Sequence, residues 1–143
     1  MGLWVSHGCW DAGAYSAFSR WRDTLALAAG YRLREPDDDE RAAGVFGKVI
    51  DLPWEMFEAK NYQGEWDSPP GDDPLIFLLA HSDCDGVIHP AQGRHLADRL
   101  EQLLPLLDES RSGGHITSMR GRTEDFIVGL RKAASADEDV EFG

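Results

Sequence analysis

Three stretches of this sequence repeat their apolar residues at three- and four-residue steps, and that periodicity limits the fold more than any other feature. From Ala14 to Ala29, Tyr15, Phe18, Trp21, Leu25 and Ala28 fall on one helical face, and Gly30 supplies a natural C-terminal stop. From Gln92 to Leu107, Leu96, Leu100, Leu103, Leu104 and Leu107 form a stripe opposite Asp98, Arg99, Glu101 and Gln102; Pro105 bends or ends this helix. A last helix runs from Thr117 or Thr123 to Ala134, with Phe126, Ile127, Leu130 and Ala134 on one face. Thr123, followed by Glu124 and Asp125, is its expected cap.

The remaining segments add a minor β element. Leu3-Trp4-Val5 is β-prone and ends at Ser6 or His7, while Gly8, Asp11 and Gly13 mark a turn around Cys9 and Trp10. Arg34 to Glu40 reads as a solvated acidic connection, and Val45 to Ile50 as a strand able to pair with Leu3 to Val5. Pro53 to Lys60 has the Pro-then-acid start of a short helix, and residues 61–73 are loop-rich, with Trp66 packed inward. Six apolar residues from Leu75 to Ala80 do not decide between helix and buried strand, but Asp72-Asp73-Pro74 ahead of them favours helix. Arg111 to Gly114 is a flexible turn, and residues 136–143 are an acidic tail that Val140 and Phe142 pin down. The expectation is a single α+β domain over residues 1–143, mainly helical, with four or five helices and a small β element near the N-terminus.

The stretch Ala80-His81-Ser82-Asp83-Cys84-Asp85-Gly86-Val87-Ile88-His89-Pro90 lies between two helical segments. Its Asp-x-Asp-Gly-x-Ile core resembles the second half of an EF-hand calcium loop. In that register the ligands are His81, Asp83, Asp85, the Val87 carbonyl and Gln92; Gly86 makes the turn and Ile88 is the buried anchor. Two positions depart from the pattern, since His81 stands where an Asp belongs and Gln92 where a bidentate Glu belongs. Losing two carboxylates weakens or abolishes calcium binding. The alternative is a metal-free turn in which Asp83 and Asp85 cap backbone amides.

His7-x-Cys9 and His81-x-x-Cys84 supply a second constellation, the ligand types of a zinc site, with His89, Asp11, Asp83 and Asp85 as possible substitutes. Against it stands the plain reading: two small buried cysteines, and histidines hydrogen-bonded near turns. Nucleophilic catalysis would use Cys9 or Cys84 activated by His81 or His7, with Asp83 or Asp85 orienting the base, but no glycine-rich oxyanion segment accompanies them. An enzyme built here would be a zinc- or thiol-dependent hydrolase carried by His7, Cys9, His81 and Cys84.

A formal charge of −12 with acids spread along the chain disfavours nucleic acid, which needs a basic stripe, and suits cations or a cationic protein partner. The N-terminus lacks the basic and apolar regions of a signal peptide, and no apolar run is long enough to span a bilayer. Two cysteines make no disulfide scaffold, so the expected compartment is the cytoplasm, with reduced thiols. The segments Ser6 to Trp10 and His81 to Gly86 resemble those of small uncharacterised bacterial and bacteriophage proteins carrying Ser-His-x-Cys-Trp and His-Ser-Asp-Cys-Asp-Gly. That resemblance implies a family and no mechanism. Taken together, these features predict a small acidic binding protein, of the inhibitor or immunity type, rather than an enzyme.

Overall fold

The computed structural model describes residues 3–45, 47–52, 73–81, 86–114 and 116–143. The helix expected at Pro53 to Lys60, the loop holding Trp66, and residues 82–85 lie outside the described residues. The first described strands, β1 (Leu3–Val5) and β2 (Trp10–Gly13), are antiparallel neighbours joined by the turn Ser6 to Cys9. The Cys9 N–H donates to the Ser6 carbonyl at 3.1 Å, and His7 and Gly8 take φ of 61° and 76°. Two left-handed residues in succession make a type I′ turn, whose twist matches that of the strands it joins.

Helix α1 (Tyr15–Ala28) follows, ending before Gly30 at φ 92°. The strand expected between Val45 and Ile50 starts later and has a different partner: β4 (Val49–Asp51) pairs with β3 (Arg32–Arg34), not with β1. The reason is local, since the hairpin after β1 closes over a very short loop and so costs little chain entropy. The acidic connection is also more ordered than expected. Asp37 and Glu40 form a reciprocal capping box at the start of the short helix α2 (Asp38–Ala42), with Glu40 accepting from Arg34 at 2.7 Å.

Leu75 to Ala80 contributes the helical turn α3 (Ile76–Leu79), as the Asp-Pro start favoured. Then come β5 (Val87–Ile88), α4 (Pro90–Leu103), a 3₁₀ turn at Leu104–Leu106 where Pro105 ends the helix, α5 (Met119–Ser135) and β6 (Val140–Glu141). Thr123 is not the α5 cap. Ser118 is, its Oγ accepting from the Gly121 N–H at 2.9 Å. Thr123 is fully buried; its Oγ1 accepts from the Trp21 indole at 2.9 Å and donates to the Met119 carbonyl at 2.8 Å. Arg111 to Gly114 likewise holds structure: a 3₁₀ turn at Glu109–Arg111, and a bridge between Gly113 and Ile116.

Helices α4 and α5 run antiparallel. Arg94 reaches the Ala134 carbonyl at 3.0 Å, while Arg131 further back along α5 meets Asp98 at 3.1 Å and Glu101 at 2.8 Å. An aromatic chain ties the other layers to this pair: Trp10 of β2 against Phe18 and Trp21 of α1, and Trp21 against Phe126 of α5, with centroids 4.9–5.2 Å apart. Buried aromatics of this size dominate core energetics. The fold class is the expected one, a mainly helical α+β domain with an N-terminal strand pair.

One polar hub holds the start of α3 to its surroundings. Asp73 accepts from Tyr31 Oη at 2.8 Å, Arg99 Nε at 3.0 Å and the Leu75 N–H at 3.0 Å. Burial works to raise the Asp73 carboxyl, but the bonds from Arg99, Leu75 and Tyr31 outweigh it and hold its pKa below the usual carboxylate value. A carboxyl depressed in the folded state contributes stability that is present above its unfolded pKa of about 3.9 and is lost as pH falls through the folded value. Urea titrations should therefore find Asp73→Asn about 1–3 kcal/mol less stable than the parent near neutral pH. The two curves should converge as pH drops toward about 2. A difference that stays constant across that range would remove the ionised carboxylate from the account.

Candidate functional site

The two motifs singled out in the sequence meet on one element, β6. Helix α5 ends in a Schellman-like turn, with Asp137 at φ 54° and the Glu138 N–H bonded to the Ala133 carbonyl at 2.9 Å. The chain then runs between the N-terminal hairpin and β5. Along one edge β6 pairs with β5, in register Val87↔Glu141 and Ile88↔Val140. Along the other it bonds to β1: Ser6 N–H to the Glu141 carbonyl at 2.9 Å, and Trp4 and Gly143 exchanging bonds at 2.9 and 3.0 Å. Strand order across this surface is β2-β1-β6-β5.

The Ser6–Trp10 motif makes the turn and grips the tail. Ser6 Oγ accepts from the Glu141 N–H at 2.8 Å and lies 2.8 Å from His7 Nδ1, while His7 Nε2 lies 3.2 Å from Glu138 Oε1. Cys9 points the other way. It is fully buried, its thiol donates to the Phe126 carbonyl at 3.7 Å, and burial pushes its pKa up to about 12. A thiol in that state is neither a ready nucleophile nor a ready metal ligand. Trp10, the last residue of the motif, sits in the core beneath the Arg122 guanidinium, 4.4 Å from its ring.

The second motif grips the same strand from the far side. His81 is buried, and its ring stacks on Phe142 at 4.2 Å. Its Nε2 donates to the Val87 carbonyl at 2.9 Å. Gly86, at φ 88°, accepts from the Phe142 N–H at 3.0 Å, and Ile88 is buried. His89 lies 2.6 Å from Asp139, and the Gln92 side-chain oxygen accepts from the His89 N–H at 3.2 Å.

Gly86 has the left-handed backbone and Ile88 the burial that the sequence led one to expect. Of the assigned ligands, His81 and the Val87 carbonyl bond to each other, and the Gln92 side chain closes onto the α4 start. Asp83, Cys84 and Asp85 lie outside the described residues; among the described residues no three His, Cys, Asp or Glu side chains are grouped to hold a metal ion. The zinc set is divided likewise: His7 faces Glu138, Cys9 faces α5, and His81 faces Phe142. Sequence reasoning missed Glu138 and Asp139 as partners and gave Phe142 only as a residue that pins the tail; each lies fifty or more residues from the histidine it meets.

Gly86 offers a direct test of this loop. Its backbone lies where a Cβ is unfavourable, so Gly86→Val should lower stability by about 1–3 kcal/mol in urea titration. A neutral result would mean that the turn can be made without left-handed backbone at this position.

Comparison with known proteins leaves the site to its own geometry: no family model, curated protein or solved structure matches this chain.

Proposed function

We propose that this chain is a small acidic binding protein, cytoplasmic, whose partner is a cationic protein rather than nucleic acid or membrane. The observation that carries the reading is Trp4. Its neighbours Leu3 and Val5 are fully buried, yet Trp4 itself is 49% exposed on the outward side of β1. Asp11 on β2 and Glu141 on β6 are exposed on the flanking strands. An exposed indole within an acidic surface is the usual make-up of an interface anchor: apolar area at the centre, with charge that steers an oppositely charged partner. The net charge of −12 extends that field over the molecule. Inhibitor and immunity-type proteins work in this way, by covering a basic surface. The buried free thiol of Cys9 suits a reducing compartment. Among the described residues no helix is long and apolar enough to cross a membrane.

The test is capture from one extract by the immobilised parent, by Trp4→Arg and by Glu141→Lys. The expected result is a basic protein retained by the parent, released as ionic strength rises, and lost from both variants. Equal retention by the variants, or an acidic retained protein, would overturn the reading.

A further inference from the structure

A cleft of about 230 Å³ opens between α1, α2, β4 and the end of α3, away from β6. Its apolar wall is Val45, Val49, Ile50 and Leu79. Four charged side chains also line it, and two are already engaged. Arg22 donates to the carbonyls of His81 at 2.8 Å and Leu78 at 3.4 Å, and its guanidinium lies 4.8 Å from the Phe18 ring centre. Glu40 is held by both terminal nitrogens of Arg34 and by the α2 capping box. Asp23 and Lys48 are different, because neither makes a hydrogen bond or ion pair among the described residues. They line the same cleft without reaching each other.

We propose that this cleft binds a small zwitterion of the α-amino-acid class, its ammonium on Asp23, its carboxylate on Lys48 and its side chain against Val45, Val49, Ile50 and Leu79. Charge balance selects the class. A purely cationic guest would meet Arg22 and Lys48, and a purely anionic one Asp23 and Glu40, whereas a dipolar guest satisfies the two open groups together. Size agrees, since the space is smaller than the roughly 300–1,000 Å³ of pockets for drug-sized ligands. Asp23 is also half-buried, and burial raises its carboxyl pKa against the pull of Arg111 and Arg22. Such groups in clefts mark binding sites more often than a solvated surface carboxylate does. The site is separate from the Trp4 surface, so either reading can fail alone.

The probes are leucine, N-acetyl-leucine and leucine methyl ester, titrated while the methyl resonances of Val45, Val49, Ile50 and Leu79 are followed by NMR. Leucine should give saturable shifts at millimolar concentration, and each blocked compound should bind about tenfold more weakly, the worth of one charge-assisted hydrogen bond. Lys48→Ala, a change at an exposed side chain, should make leucine and its methyl ester equal. Asp23→Asn should do the same for leucine and its N-acetyl form; if that variant does not fold, the blocked compounds and Lys48→Ala decide. No saturable shift, or equal binding of free and blocked forms to the parent, would overturn the proposal.

Discussion

Gly129→Ala should destabilise this fold by about 3 kcal/mol, although it adds a single methyl to the middle of a helix. In an open helix the same change would help, by as much as about 1 kcal/mol. Here α5 lies directly on the Ser6–Cys9 turn. A Cβ at residue 129 would overlap Cys9 Sγ, and would stand 2.9 Å from the Cys9 backbone nitrogen and 3.0 Å from the His7 carbonyl oxygen. Two of those three atoms are backbone, so no rotamer change relieves the clash, and the turn and helix must separate. Gly93→Ala on α4 is the matched control. Its Cβ would meet Leu130 at 3.6 Å and Ile88 at 3.9 Å, which are ordinary contacts, so it should gain about 0.5–1 kcal/mol. Cys9→Ala should rescue Gly129→Ala only in part, because it removes the sulfur and leaves the backbone contacts. Urea midpoints of the four proteins settle the matter; a neutral Gly129→Ala would mean that α5 does not sit on the turn.

What the sequence makes legible is what local chemistry decides. Period-3.6 apolar faces located α1, α4 and α5; Gly30 and Gly86 take left-handed backbone, Ile88 is buried, and Val140 and Phe142 did pin the tail. Two further signals were present but unread. His-Gly between two β-prone runs is a type I′ hairpin signal, because histidine is among the residues that tolerate left-handed backbone. Asp37-x-x-Glu40 has the spacing of a capping box, obscured by the acidic run around it. Other choices could not be made locally. Ser118 and Thr123 are both plausible caps, and the buried indole of Trp21, 102 residues away, is what occupies Thr123. The motif histidines posed the same problem. A His near a turn serves equally as a ligand or as a hydrogen-bond partner, and only the path of the chain through β6 shows that Glu138, Asp139 and Phe142 stand opposite them.

Phe142→Ala should cost about 3–5 kcal/mol, the range for truncating a buried aromatic, which is a large share of what a domain of this size has. The ring is 5% exposed, stacks on His81 at 4.2 Å and meets Phe18 edge-on at 6.3 Å, so it touches both the second motif and the aromatic chain of the core. Its backbone N–H, bonded to Gly86, is the link between β6 and the turn after residues 82–85. Losing the ring should therefore loosen more than one contact. Hydrogen exchange at Ser6, Glu141 and Phe142 should quicken together, because those amides bind β6 to its neighbours on both sides. Phe142→Leu should recover most of the stability, as burial does not need the ring, but it should not restore the His81 stack. Trp4→Ala supplies the contrast from the outward side of the adjoining strand: half-exposed, it should change stability far less than Phe142→Ala. If Phe142→Ala costs less than about 1 kcal/mol, or if exchange quickens at Phe142 alone, then β6 does not couple the two motifs, and each folds without the other.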